Sequence, residues 1–509
     1  MSLVSLLSFR RARAVLTLTT AVACVSAGVA ATVPASAAPG AAPGAARSAD
    51  CHPAALGLAG KGLTRSTASC EPGTARAGTT SATAESSPYL DCPAKLLCRW
   101  FGAPYQQNDP ADPTNYGNHD LANRPNAGSP NIRYIVIHDS EATFATDKQL
   151  IKDPTYISWQ YTINSRNGKV LQHVPTKDVA WQAGNWYVNM HSIGIEHTGF
   201  AARGQHYYTE KMYRTSAKLV KRLARQYHIP IDRAHIIGHD QVPGTTPSTV
   251  AGMHWDPGPF FDWEHYFSLL GHPIGGTHAA AKAKRAAKRS SFRDGQVVTV
   301  VPGFAHNRQP VTGCDAQGSG HACRRQPTDF VYLHQQPSLS SPLVVDAGIR
   351  STPATTDIAD VGARATAGAK LAVAATHGHW VGVWWLGQLA WIRNAPRHPV
   401  LVHSHGVTVS PAVASTPTYG RAYPEATAYP STIPASDVQA VTPLQYVLQP
   451  GQRYVLADGG IQTDYYHATS FADGPGQRVD VVGATRYYQV WAGHRQLFVP
   501  AADVQLARR

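Results

Sequence analysis

Three short segments of this chain set metal-binding and proton-moving side chains beside apolar runs. They are Ile137-His138-Asp139, Ile195-Glu196-His197 and Gly238-His239-Asp240, and Asp256 follows His239 by 17 residues in Trp255-Asp256-Pro257-Gly258. A hydrolytic zinc takes about three protein ligands and keeps one position for water, a need that two histidines and a carboxylate fill. The metal brings the pKa of its water to about 7 and polarises the carbonyl under attack. A carboxylate beside it accepts the water's proton and passes it to the leaving amine. His138, His239 and Asp256 have the ligand chemistry, and Glu196 has that of the base. Among 24 histidines, spacing alone is a weak signal, because a histidine ending a buried strand is more often held by a backbone partner than by a metal.

Such a set needs strand ends brought together. Tyr134-Ile135-Val136-Ile137 reads as a short buried strand, and Tyr161-Thr162-Ile163 and Val170 to Val174 read as a hairpin joined through Asn167-Gly168. Ile193-Gly194-Ile195 is a further strand. From Thr209 to Tyr227, Met212, Leu219, Val220, Leu223 and Tyr227 recur at helical spacing, and Ile229-Pro230 stops that helix. His235-Ile236-Ile237 returns as a strand, so His138 and His239 both stand at strand C-termini. Alternating strands and helices predict an α/β domain over 130–272, a mixed sheet flanked by helices. Neighbours on a strand face opposite sides. If Glu196 faces the ligands, His197 is structural.

The 509 residues exceed one ordinary core. Arg10, Arg11 and Arg13, an apolar run from Ala14 to Val33 and Ala35-Ser36-Ala37 predict a signal peptide over 1–37, hence secretion and no stable membrane anchor after cleavage. Besides Cys24, six cysteines form close pairs, Cys51 with Cys70, Cys92 with Cys98 and Cys314 with Cys323, as expected of disulfides in an exported chain. Residues 38–129 read as a flexible, disulfide-pinned segment, a candidate propeptide. Residues 273–293, rich in Ala, Lys and Arg, read as a linker, and two β-rich modules follow over 294–400 and 401–509. In these, Leu371 to Asn394 and Val481 to Val504 share a strand, turn, aromatic strand, turn, strand order. The net charge of +13 suits anionic wall polymers. No basic stripe interleaved with aromatics points to nucleic acid.

The run Arg133 to Trp263 contains IRYIVIHDS, INSRNGKVLQHVPTKDVAWQAGNW, HSIGIEHTGF, IPIDRAHIIGHDQVPG and DPGPFFDW. In this order the pieces resemble the type 2 N-acetylmuramoyl-L-alanine amidase family, which includes peptidoglycan-recognition proteins. The resemblance covers about a quarter of the chain. It implies Zn2+ on His138, His239 and Asp256, Glu196 as catalytic carboxylate, and peptidoglycan, both glycan strand and stem peptide, as partner. It implies hydrolysis of the amide between the lactyl group of N-acetylmuramic acid and L-alanine by a secreted, wall-associated enzyme. The family often has a lysine two residues before its last ligand, and His254 stands there. His254 is then a donor to the oxyanion, or a zinc ligand in place of Asp256. Gln160 and Gln182 stand where the family often has histidines, and Thr245 to Met253 is longer than usual, as expected of a surface loop. Trp159, Trp181 and Asn185 are candidates for substrate contact, with Trp186 beside them. The two C-terminal stretches resemble bacterial SH3-like modules, whose binding aromatics would be Trp380, Trp384, Trp385, Trp391 and Trp491. Two alternatives remain: a peptidoglycan-recognition protein that does not cut, and a metallopeptidase, which typically shows HExxH, a string this chain lacks.

Overall fold

The computed structural model describes residues 90–155, 157–288, 292–472 and 477–508. The expected signal peptide, the lead-in to residue 89 and the Cys51–Cys70 pair lie outside them. All described residues belong to one unit, Ala45–Arg509, and none of their helices is long and apolar enough to cross a membrane.

The amidase-like region is built on β1 (Cys98–Trp100), β2 (Tyr134–Asp139), β3 (Tyr161–Ile163), β4 (Val170–Gln172), β5 (Ser192–His197) and β6 (Ile236–Gly238). They form one mixed sheet in the order β1-β4-β3-β5-β2-β6, in which only β3 and β4 pair antiparallel. That pair is the expected Asn167-Gly168 hairpin. Gly168 has φ +69°, and a Cβ there would stand 2.5 Å from Thr215 Oγ1, so the turn needs glycine on both counts. On one face of the sheet, Ile135, Ile137, Ile193 and Ile195 pack against α1 (Glu210–Tyr227) through Met212, Leu219, Val220 and Leu223. Each such buried side chain contributes roughly 1.5–3 kcal/mol. Thr209 caps the helix, accepting from the Met212 amide. The other face carries Val136 and Ile237, covered by Ala183, Val188, Val242 and Met253.

The region 90–129 is not a flexible lead-in. β1 is an edge strand of the central sheet, beside the Cys92–Cys98 disulfide. Buried Arg124 donates to the carbonyls of Thr176, Asp178, Asn189, Met190 and Ser192, holding together the backbone behind β5. A propeptide ending near residue 130 would take this support away, so 90–129 packs as part of the structure built on the central sheet. The linker expected over 273–293 contains a helix, α2 (Ala279–Lys288), whose Ala283 is buried in the main core.

The C-terminal half holds two five-stranded antiparallel sheets. The first comprises β7 (Val297–Val300), β8 (Lys370–His377), β9 (Trp380–Trp385), β10 (Gln388–Arg393) and β11 (Leu401–Ser404) in the order β10-β9-β8-β7-β11. The second comprises β12 (Val407–Pro411), β13 (Tyr454–Asp458), β14 (Tyr487–Trp491), β15 (Leu497–Pro500) and β16 (Val504–Arg508) in the order β15-β14-β13-β12-β16. The strand order is the same in both, which makes them an internal repeat. β11 completes the first sheet, so the boundary lies between Ser404 and Val407 rather than at 400. The likeness of Leu371–Asn394 to Val481–Val504 holds only for its last two strands. Residues 479–482 pair instead with 464–467 in a hairpin inserted in the second sheet. Trp385, Trp391 and Trp491 are buried, and Trp385 donates to the Gly362 carbonyl, so these three are core residues rather than binding aromatics.

Candidate functional site

Parallel strands bring their C-terminal ends to one edge, where α/β sheets place their sites. In register, His138 of β2 lies opposite Glu196 of β5, and Ile137 opposite Gly238 of β6, so His239 emerges beside His138. Because side chains alternate, His138 and Glu196 share the face opposite the isoleucines. His197 points the other way, its ring held by the His138 carbonyl and by Ser216 Oγ, both at 2.8 Å, as the strand period requires.

Asp256 reaches this edge from the loop after β6. The Asp240 amide donates to its carbonyl at 2.8 Å, and the Asp139 amide to its carboxylate at 3.2 Å. The carboxylate lies 3.3 Å from His138 Nδ1, 3.0 Å from His239 Nδ1 and 3.1 Å from His254 Nδ1. Ligand atoms of His138, His239 and Asp256 all fall within 4.8 Å of one another, and all three residues are buried. Glu196 Oε1 lies 3.8 Å from His138 Nδ1, and its Oε2 is buried without a hydrogen bond. His254, 17% exposed, has its ring 4.9 Å from that of His239, tilted by 32°, and reaches toward solvent.

The electrostatics suit a cation. Burial first, then Asp256, Asp147, Asp139 and Glu141, push the Glu196 carboxyl well above its ordinary range. Burial works on Asp256 in the same direction. Its three imidazole neighbours, His239 first and then His138 and His254, overcome it and hold Asp256 well below the usual carboxylate range. Burial brings His239 down to about 4, against the pull of Asp256, so its imidazole is neutral, as a metal ligand must be. Five carboxyl groups thus crowd a buried site, and His138 Nδ1 is turned toward them without a hydrogen bond. Two imidazoles and a carboxylate form a donor set that fits a divalent cation such as zinc.

Gln182 has a role that the sequence did not reveal. Its Oε1 takes the hydrogen of His138 Nε2, and its amide donates to Ser192 Oγ at 2.6 Å. This fixes the tautomer that leaves Nδ1 free to ligate. Its place in Trp181-Gln182-Ala183-Gly184, where the family often has histidine, was the signal available. Gln160 accepts from the Gly194 amide and donates to the Asp178 carbonyl, bracing β5.

Two of the three expected substrate contacts are corrected. Trp159 is fully buried and donates to Thr162 Oγ1. Asn185, also fully buried, caps the short helix Trp186–Met190 and donates to the carbonyls of Pro243 and Gly420. Neither can touch a polymer outside. Trp181 is half-buried and donates to Asp120. Trp186 donates to the Tyr466 carbonyl beneath the second β unit. The long segment Thr245–Met253 is only partly a surface loop, since Val250 is buried.

Residues 128–259 match the family described as N-acetylmuramoyl-L-alanine amidase. This region of the chain belongs to that family. The chain is 26% identical over 153 residues to N-acetylmuramoyl-L-alanine amidase A of Achromobacter lyticus, covering 27% of this chain and 81% of that enzyme. It is 32% identical over 111 residues to 1,6-anhydro-N-acetylmuramyl-L-alanine amidase AmpD of Haemophilus influenzae, covering 21% of this chain and 54% of that one. Among solved structures, a selenomethionine derivative of AmpD overlaps 35% of this chain and 97% of its own, at 21% identity and a TM-score of 0.25. The match to amidase A takes in most of that enzyme; the match to AmpD takes in about half.

Proposed function

We propose that the protein is a secreted, zinc-dependent N-acetylmuramoyl-L-alanine amidase that hydrolyses the bond between the lactyl group of N-acetylmuramic acid and L-alanine in peptidoglycan. The observation that carries this reading is the buried His138, His239 and Asp256 cluster with the Glu196 carboxylate beside it. When bound, zinc supplies an acidified water and polarises the amide carbonyl. His138, oriented by Gln182, and His239, neutral through burial, would hold it with Asp256. Glu196 has an oxygen with no hydrogen-bond partner and an upward-shifted carboxyl, so it is fitted to accept a proton and return it to the departing amine. His254, at the exposed side of the cluster, is placed to donate to the oxyanion. Trp181 remains the candidate for substrate contact. The repeated β units are read as SH3-like, and the net charge of +13 favours anionic wall polymers as a second partner.

The full set of ligands plus Glu196 favours cutting over recognition alone. The test is digestion of purified peptidoglycan by the mature protein with and without chelator, followed by mass spectrometry. Stem peptides beginning with L-alanine, lost on chelation and restored by zinc, are expected. Tight binding with the glycan-peptide left intact would make this a recognition protein.

A further inference from the structure

The second β unit is docked on the amidase region through buried polar groups, and one turn of it reaches the loops that carry the ligands. Between β14 and β15 the chain reads His494-Arg495-Gln496, all three buried. His494 Nε2 faces Asp240 Oδ2 at 3.0 Å, and its Nδ1 faces the Arg364 carbonyl at 2.9 Å, so the ring is pinned from both sides. Asp240 directly follows the ligand His239, and its amide bonds the Asp256 carbonyl. Arg495 donates to the carbonyls of Val250 at 3.0 Å and Met253 at 3.4 Å, in the segment leading to His254 and Asp256. Gln496 donates to the Arg233 carbonyl at 3.0 Å, and the Arg233 guanidinium in turn holds Gln241 Oε1, in the turn after β6, and the Ile236 carbonyl at the start of β6. Three successive side chains of one unit thus support both ligand-bearing loops of another.

We propose that the His494-Arg495-Gln496 turn of the second β unit consists of positioning residues for the metal centre, so that this unit completes the catalytic scaffold as well as any tethering it does. The inference rests on the metal reading above. Loops are held by what packs on them, and the β6 turn and the 250–256 segment carry only the three-residue 3₁₀ turns His239–Gln241 and Val250–Gly252. Partners that orient ligands from outside typically change metal affinity by about 10–100-fold when removed.

The experiment uses the full-length protein and measures zinc affinity by competition with a chromogenic chelator, with peptidoglycan digestion run alongside. His494→Ala and Arg495→Met are expected to weaken zinc binding roughly 10-fold or more, while His494→Gln, which retains a donor near Asp240, recovers part of the loss. The control is Arg133→Met, which breaks an ion pair to Asp458 in the same docked interface but away from the ligand loops. It should lower the melting temperature and leave zinc affinity unchanged. Wild-type affinity in both His494→Ala and Arg495→Met would overturn the proposal, as would an equal loss in Arg133→Met, which would make the effect one of docking alone. If the wild type takes up no zinc, the metal reading falls and the proposal with it. If the wild type binds zinc, the two variants bind it weakly and peptidoglycan stays intact, the amidase reading fails and the positioning role stands.

Discussion

Replacing Gln182 with leucine separates orientation of a ligand from ligation itself. Leucine fills nearly the same volume, so little cavity is added, but His138 Nε2–H loses its acceptor and Ser192 Oγ loses its donor. Both groups are buried, and a buried donor left unsatisfied costs about 1–3 kcal/mol. The imidazole can recover part of this by moving its proton to Nδ1, which is the atom facing Asp256 and Glu196, and doing so removes the lone pair that would bind metal. If the whole cost falls on the competent tautomer, at about 1.4 kcal/mol per decade, zinc affinity drops roughly 5- to 150-fold. The assay is chelator competition on the metal-free variant, with circular dichroism to show the fold intact. A dissociation constant within twofold of wild type would refute the claim that Gln182 sets the tautomer of His138.

Glu196→Gln should lower turnover about 10²- to 10⁴-fold while zinc uptake, read by metal analysis, persists. Because burial and four neighbouring carboxyls raise the Glu196 carboxyl, ionising it destabilises the metal-free fold. The same variant should therefore resist urea better than wild type at neutral pH, and a loss of stability there would count against the site's electrostatics as described. Asn185→Ala removes a helix cap and two buried hydrogen bonds, so it should cost about 1–3 kcal/mol in denaturant melts with KM unchanged; a raised KM on a stable protein would restore Asn185 as a substrate contact. His235 lies between Asp232 at 2.7 Å and Asp458 of the second β unit at 3.1 Å. Burial lowers its pKa, but the two carboxylates prevail and raise it from 6.5 to about 9. Its stabilisation is complete below pH 6.5 and is lost as the pH rises through 9. At about 1.36 kcal/mol per unit, the span of 2.5 units is worth at most about 3 kcal/mol, and less because half-exposed Asp232 is screened. Unfolding from pH 6 to 10 should show this decline, and His235→Gln should flatten it.

The candidate site was legible in the sequence to the extent that it depends on strands. Apolar runs and a period of two fixed β2, β5 and β6, and with them the shared face of His138 and Glu196 and the opposite face of His197. The helical period fixed α1, and Asn167-Gly168 fixed the hairpin. These are local properties, set by side-chain alternation and by the conformations that glycine alone adopts without strain. Burial was harder to see, because a tryptophan or asparagine near a site reads the same whether it faces a groove or a core; Trp159 and Asn185 proved to face the core. Residues 90–129 read as part of a flexible segment, yet Arg124 and β1 make them part of the sheet through partners 52 to 72 residues away. More remote still is the turn His494-Arg495-Gln496, more than 240 residues from the loops it supports. Hydrogen bonds from a side chain to a distant backbone carbonyl leave no period or spacing in the chain. The sequence therefore determined which residues have the chemistry to form a metal centre, and only the tertiary structure decided which others hold them in place, because that support comes from groups brought together by folding.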